Sequence, residues 1–179
     1  MRKKTIIYIL FLFFNTIAHS QQVFNRSYFY GAWTFGSGLA CYQNHYVIGG
    51  FNALSLPDSN INYTKTMGYI NRIDVNGDSL LFQNYSNNDT SYFIQFGEYA
   101  GVTLIHGVKG ENGNSYWTGW KTSDNATFWY QSDLYIVKLD SMGNTLWEKS
   151  YDAPMDSSYV GWTIDYNEQT GRIVTCGYL

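Results

Sequence analysis

"YINRIDVNGDSLLFQNY" (69–85) and "YIVKLDSMGNTLWEKSY" (135–151) are one pattern written twice in this chain. Laid together without a gap, Tyr69 falls on Tyr135, Ile70 on Ile136, Asp74 on Asp140, Gly77 on Gly143, Leu80 on Leu146 and Tyr85 on Tyr151. Arg72 meets Lys138, Ile73 meets Leu139, and Ser79 meets Thr145. Self-similarity of this kind marks a repeat architecture and outranks other signals in choosing a fold. Each copy reads as a β-hairpin. Asp74 and Asp140 open the turns "DVNG" and "DSMG", where a carboxylate can accept hydrogen bonds from backbone N–H groups just ahead. Gly77 and Gly143 close them, supplying the left-handed residue that follows a type I turn.

A second element repeats around the hairpin. "YVIGGF" (46–51), "YWTGW" (116–120) and "IVTCGY" (173–178) end in glycine plus an aromatic, at Gly50-Phe51, Gly119-Trp120 and Gly177-Tyr178. Each reads as a short buried strand. Upstream of the last two lie "YAGVTLI" (99–105) and "YVGWTID" (159–165), which match at a shift of 60, and "YFYGAWTF" (28–35) is a looser third copy. A unit is therefore a glycine-containing strand, a strand ending in glycine-aromatic, a loop, and a two-stranded hairpin. No run shows the three-and-four apolar spacing of a helix. The expectation is an all-β chain of four-stranded antiparallel sheets arranged as β-propeller-like repeats. The units fall roughly at 28–85, 99–151 and 159–179, the last one partial, making about two and a half blades of an incomplete propeller. The stretches between Gly50 and Tyr69 and between Gly119 and Tyr135 differ in length, so they are expected to be loops. Propellers close with four or more blades, so a longer parent chain or a ring-closing assembly is expected.

The repeat resembles that of large secreted β-propeller proteins of Bacteroidota. Their unit reads as glycine, tyrosine, apolar residues and glycine-aromatic, then a loop and "D-apolar-W/Y-apolar-apolar-K-L-D-x-x-G-N-x-x-W". "GRIVTCGYL" (171–179) and "SDLYIVKLDSMGNTLWEKSY" (132–151) fit it closely, and the copy at 69–85 carries Leu81 where Trp147 stands. The resemblance covers most of residues 30–179. It implies secretion or surface display, often by type IX secretion through a C-terminal sorting domain that this sequence lacks. It does not imply one activity. "LDSMGNTLW" (139–147) also resembles, more loosely, the blade repeat of quinoprotein dehydrogenases, although the threonine before glycine and the adjacent cysteine pair are missing.

The N-terminus has its own reading. "MRKK" is basic, "TIIYILFLFF" (5–14) is apolar, and Ala18 and Ser20 stand at the small-residue positions before Gln21. This is the plan of a secretory signal peptide over 1–20. The apolar run is too short to span a bilayer comfortably, and no later segment of the mature chain reads as a membrane span. Removing 1–20 takes away Arg2, Lys3 and Lys4 and no acid, leaving 8 basic against 14 acidic residues. A mature chain of that charge is ill suited to nucleic-acid phosphates. Aromatics at 19% and charged residues at 14% suit packed strands and oppose disorder. Cys41 and Cys176 lie in apolar strand-like stretches and read as small buried hydrophobes rather than a disulfide framework.

No constellation names a reaction. "DVNGDS" (74–79) alternates oxygen ligands as calcium loops do, but Met142 replaces Asn76 in the second copy, so a shared turn accounts for both where calcium accounts for one. No metal site is assigned. His45 and His106 have no paired ligand spacing. "GVKGENGN" (107–114) lacks the Gly-Lys-Ser/Thr of a phosphate cradle and reads as a turn. Asp133, Asp152, Asp156 and Asp165 could include a glycosidase pair, but spacing along the chain does not set carboxyl separation. Phe128, Trp129 and Tyr130, in the loop before the second hairpin, are the candidate ligand-binding residues. Aromatic platforms stack on sugar rings and anchor protein interfaces, and they equally pack as core. The functional expectation is a secreted or cell-surface binding or scaffold module with a protein or glycan partner and no cofactor. The alternatives are an extracellular carbohydrate-binding or carbohydrate-active propeller and a quinoprotein-like propeller.

Overall fold

The computed structural model describes residues 33–58, 61–86, 100–122, 131–154 and 157–178. Residues 1–20, expected to be a signal peptide, and the aromatic stretch Phe128–Tyr130 lie outside the described residues. The chain is all-β, with ten strands and one short 3-10 turn at Glu111–Gly113 among the described residues. The strands are β1 (Trp33–Cys41), β2 (His45–Asp58), β3 (Ile61–Asp74), β4 (Ser79–Tyr85), β5 (Ala100–Lys109), β6 (Ser115–Thr122), β7 (Ser132–Leu139), β8 (Thr145–Tyr151), β9 (Val160–Asn167) and β10 (Arg172–Tyr178).

β1–β4 form an antiparallel meander, and β5–β8 form a second. A short parallel contact, Lys65 with Ala100 and Thr66 with Gly101, joins the two sheets. β9 and β10 form a separate two-stranded sheet. No closed sheet forms among the described residues.

The sequence repeat has a cause in the strand ladders. In each unit the first strand bulges by one residue: Ser37, Ile105 and Trp162 are left unpaired. Opposite each bulge stands the glycine of the glycine-aromatic motif, with Gly50 pairing Gly36, Gly119 pairing Leu104 and Gly177 pairing Gly161. A bulge tilts the bulged strand's backbone toward its partner. A Cβ on Gly50 would stand 1.8 Å from the Phe35 carbonyl oxygen, one on Gly119 1.8 Å from that of Thr103, and one on Gly177 1.6 Å from that of Val160. Only glycine fits. The hairpins share a second bulge, at Leu80 between Arg72 and Ile73's partners and at Leu146 in the equivalent place.

Two sequence readings change here. The bulges relate the first strands of the second and third units by 57 residues, so Gly161 corresponds to Leu104 and not to Gly101. The glycines had been matched as a type, but Gly101 answers a different need: its φ is +144° and a Cβ there would meet the Thr66 carbonyl oxygen at 1.9 Å. The stretch between Gly50 and Tyr69 is not a loop. β2 and β3 stay paired residue by residue out to Asp58 and Ile61, one long hairpin.

The sheets pack face to face around Trp117. Its ring is fully buried, and its Nε1 donates to Ser115 Oγ at 3.0 Å. It fits because Gly38 and Gly49 of the first sheet and Gly107 of its own carry no side chain: Cβ atoms there would lie 2.8, 2.3 and 2.4 Å from the ring. Ala40, Val47, Ile70, Tyr85, Val102, Leu104 and Val137 complete this core. A second core joins Tyr116 and Ile136 to Ile164 of β9, with Leu134, Trp147, Tyr166 and Ile173 against it. Side chains pin adjacent first strands to one another. Ser37 Oγ donates to the Leu104 carbonyl at 2.7 Å, and His106 Nδ1 accepts from Ile164 N–H at 3.3 Å. Cys41 and Cys176 are free and exposed, not buried. On an edge-flanking strand the outward face has no second sheet to cover it.

Candidate functional site

The turns within the sheets gather at one end of the molecule, following β1, β3, β5, β7 and β9. At this end Asp74 Oδ1 accepts from the N–H groups of Asn76 and Asp78, both at 2.8 Å, and Gly77 N–H donates to the Asp74 carbonyl at 3.1 Å. The second copy makes the same set: Asp140 Oδ1 accepts from Met142 and Asn144 at 2.8 Å, and Gly143 N–H donates to the Asp140 carbonyl at 3.0 Å. Gly77 and Gly143 have φ of +85° and +90°. Donors aimed at both aspartates hold their carboxyls below the usual carboxylate range. These bonds are common to both copies, although Asn76 is replaced by Met142.

The same end carries the densest polar constellation among the described residues. Glu111 sits on the 3-10 turn between β5 and β6. Lys138 Nζ, from β7, donates to Glu111 Oε1 at 2.6 Å. Tyr116 of β6 donates to the same carboxylate at 3.1 Å, and the Tyr166 hydroxyl of β9 also bonds to it. The Tyr116 and Tyr166 rings stack at 5.4 Å, Trp147 tilts against Tyr116 at 6.1 Å, and Lys138 Nζ lies 5.0 Å over the Tyr116 ring. The Lys138 ammonium, with the hydroxyls, pulls Glu111 down to about 2. Glu111 in turn raises Lys138. Each group therefore favours the charged form of the other. The cluster joins the second unit to the third, with Tyr116 buried and Glu111 and Lys138 partly exposed.

Sequence reading missed this cluster. It treated 107–114 as a connecting turn and Lys138 as a repeat position equivalent to Arg72. The partner of Lys138 is 27 residues earlier, on another element, and no local spacing announces it. Tyr116 read only as part of the strand "YWTGW" (116–120), and Tyr166 drew no reading.

The other candidates do not come together. Asp133 is buried and accepts from Ala153 N–H at 3.1 Å, whereas Asp152 and Asp165 are exposed, and Asp156 lies outside the described residues. His45 is buried against the Tyr42 ring at 4.4 Å, its Nδ1 is 2.8 Å from Asn44 Oδ1, and burial with nearby Arg72 lowers its pKa. His106 is used between units, as described. Among the described residues no three His, Cys, Asp or Glu side chains converge as metal ligands. None of the described helices is long and apolar enough to cross a membrane. Phe128, Trp129 and Tyr130 precede β7 in the sequence and lie outside the described residues.

No family model and no curated protein matches this chain.

Proposed function

We propose that the chain is a β-propeller-type repeat module, exported and held at or beyond the cell surface, where it serves as a binding or scaffold element for a protein or glycan partner. The observation that carries the reading is the common register of the three units. Each has the same bulged first strand against the same glycine, and β1, β5 and β9 stand next to one another through Ser37–Leu104 and His106–Ile164 bonds. Radial repetition of such sheets is the propeller plan. The Glu111–Lys138 pair with Tyr116 and Tyr166 offers charged and aromatic groups of the kind used in recognition. The basic-apolar-small pattern of 1–20 supports export. Phe128, Trp129 and Tyr130 are the residues proposed to meet the ligand.

Expression in a Gram-negative host with its own N-terminus tests the reading. The expected outcome is a product cleaved before Gln21 in the exported fraction, binding a glycan or surface protein without turning it over. A cytoplasmic product that keeps Met1, or hydrolysis of a polysaccharide by the purified protein, would overturn it.

A further inference from the structure

The hairpins of the first two units meet along one seam, and every residue of it belongs to β3, β4, β8 or the turn between β7 and β8. From Thr145 back to Met142 the contacts change character. Gln83 Nε2 donates to Thr145 Oγ1 at 3.0 Å, and the Tyr85 hydroxyl lies 2.8 Å from the same oxygen. The turn then rests on the first hairpin: a Cβ on Gly143 would stand 2.7 Å from Leu81 Cδ2 and 3.9 Å from Arg72 Cδ. Last, Arg72 Nη1 directs an N–H at Met142 Sδ, 3.9 Å away.

Arg72 is poorly served at this end. A guanidinium carries five N–H donors, and a thioether is a weak acceptor. Arg72 Nε is buried without an acceptor, and Nη1 has only the sulfur. Its repeat counterpart, Lys138, has the Glu111 carboxylate instead. Met142 is 57% exposed, and the turn does not need its side chain: the bond to Asp140 comes from the Met142 backbone N–H, and Asn76 stands at this position in the first copy. Met67, on β3, is more buried.

We propose that Met142 is a site of oxidation by peroxides and that Arg72 captures the product, so that oxidation tightens the seam between the first two units. A sulfur lone pair attacks one oxygen of hydrogen peroxide. The S–O bond forms, the O–O bond breaks, and the second oxygen leaves as water with the peroxide's protons. The thioether loses two electrons and the peroxide gains them. Arg72 takes no part in that transfer. Its N–H engages one lone pair of the sulfur, and the exposed side of the residue leaves the other open to solvent. The sulfoxide oxygen is a far better acceptor than sulfur, and the flexible methionine side chain can turn it toward Nη1. A weak N–H···S contact is then replaced by a charge-assisted N–H···O bond. Methionine oxidation disrupts a core by making an apolar side chain polar. Here the sulfur is at the surface beside a cation, and the sign is reversed. Arg72 is a positioning residue for the oxidised state. The inference rests on this contact and stands apart from the identity of the surface ligand.

Hydrogen peroxide added to the folded chain, with exposed Cys41 and Cys176 alkylated beforehand, provides the test. Peptide mass mapping reads the site, and thermal unfolding reads the consequence. Met142 is expected to gain one oxygen before Met67 does. The Tm should rise by about 1–3 °C and return when methionine sulfoxide reductase removes the oxygen. Arg72→Ala should oxidise at Met142 without the rise, Arg72→Lys should keep part of it, and Met142→Leu should show none. Should Arg72→Ala fail to fold, the lysine and leucine variants carry the comparison. Oxidation of Met67 ahead of Met142, an unchanged or lowered Tm in the chain oxidised at Met142 alone, or an equal rise in Arg72→Ala or Met142→Leu would overturn the proposal.

Discussion

At the residue scale the decisive positions are glycines chosen for space. Gly119 faces a backbone oxygen that cannot step aside, whereas a Cβ on Gly36 would make only ordinary contacts at 3.5 Å. Gly119→Ala should therefore cost about 3 kcal/mol or more, and Gly36→Ala less than about 1 kcal/mol, read from denaturant midpoints at constant m. Equal costs at the two sites would sink the bulge argument. The turn aspartates give a second contrast. Asp140→Ala leaves the exposed N–H groups of Met142 and Asn144 to water and should cost about 0.5–1.5 kcal/mol, while Asp140→Asn, which keeps an acceptor, should cost less. Glu111 adds a pH signature. Its carboxyl is held at about 2, below the ordinary 4.5, so its contribution is complete above pH 4.5 and fades as pH falls from there toward 2. Between those pH values the unfolding midpoint of the native chain should fall more steeply than that of Glu111→Gln. Parallel curves would show that the ion pair adds no pH-dependent stability.

At the element scale the strands behave differently according to what covers them. β6 is buried along most of its length because sheets lie on both faces and strands on both edges; β10, its counterpart by register, is mostly exposed. Hairpin residues show the same rule. Tyr85 is 6% exposed, with its hydroxyl 2.8 Å from Thr145 Oγ1 of the next unit, while Tyr151 at the same repeat position is 47% exposed. Burial pushes the Tyr85 hydroxyl up to about 12. Replacing each by alanine should separate them: Tyr85→Ala by about 3–5 kcal/mol, Tyr151→Ala by less than about 1 kcal/mol. The hairpins themselves were legible in the sequence, because aspartate and glycine at fixed turn positions act locally. The long pairing of β2 with β3 was not, since "NALSLPD" and "INYTKTM" have no local mark separating a strand arm from a loop.

At the scale of the whole molecule, one indole lies at the centre of the contact between the first two units. Trp117 fills the space left by Gly38 and Gly49 of the first sheet, so Trp117→Ala should destabilise by about 3–5 kcal/mol and loosen the contact between the first two units. Hydrogen exchange reports this as early loss of protection in β1 and β5 together; loss confined to β6 would mean the units are held by other contacts. The sequence by itself determined the all-β class, the repeated unit and its two turns. These depend on patterns within a few residues of one another: alternation, turn chemistry and glycine-aromatic pairs. The tertiary structure decided the rest. The reason for the glycines lies in bulges on a neighbouring strand, and the Glu111–Lys138–Tyr116–Tyr166 cluster draws on four elements. Such features are set by distances across space, and sequence order carries no record of those distances until the sheets have packed.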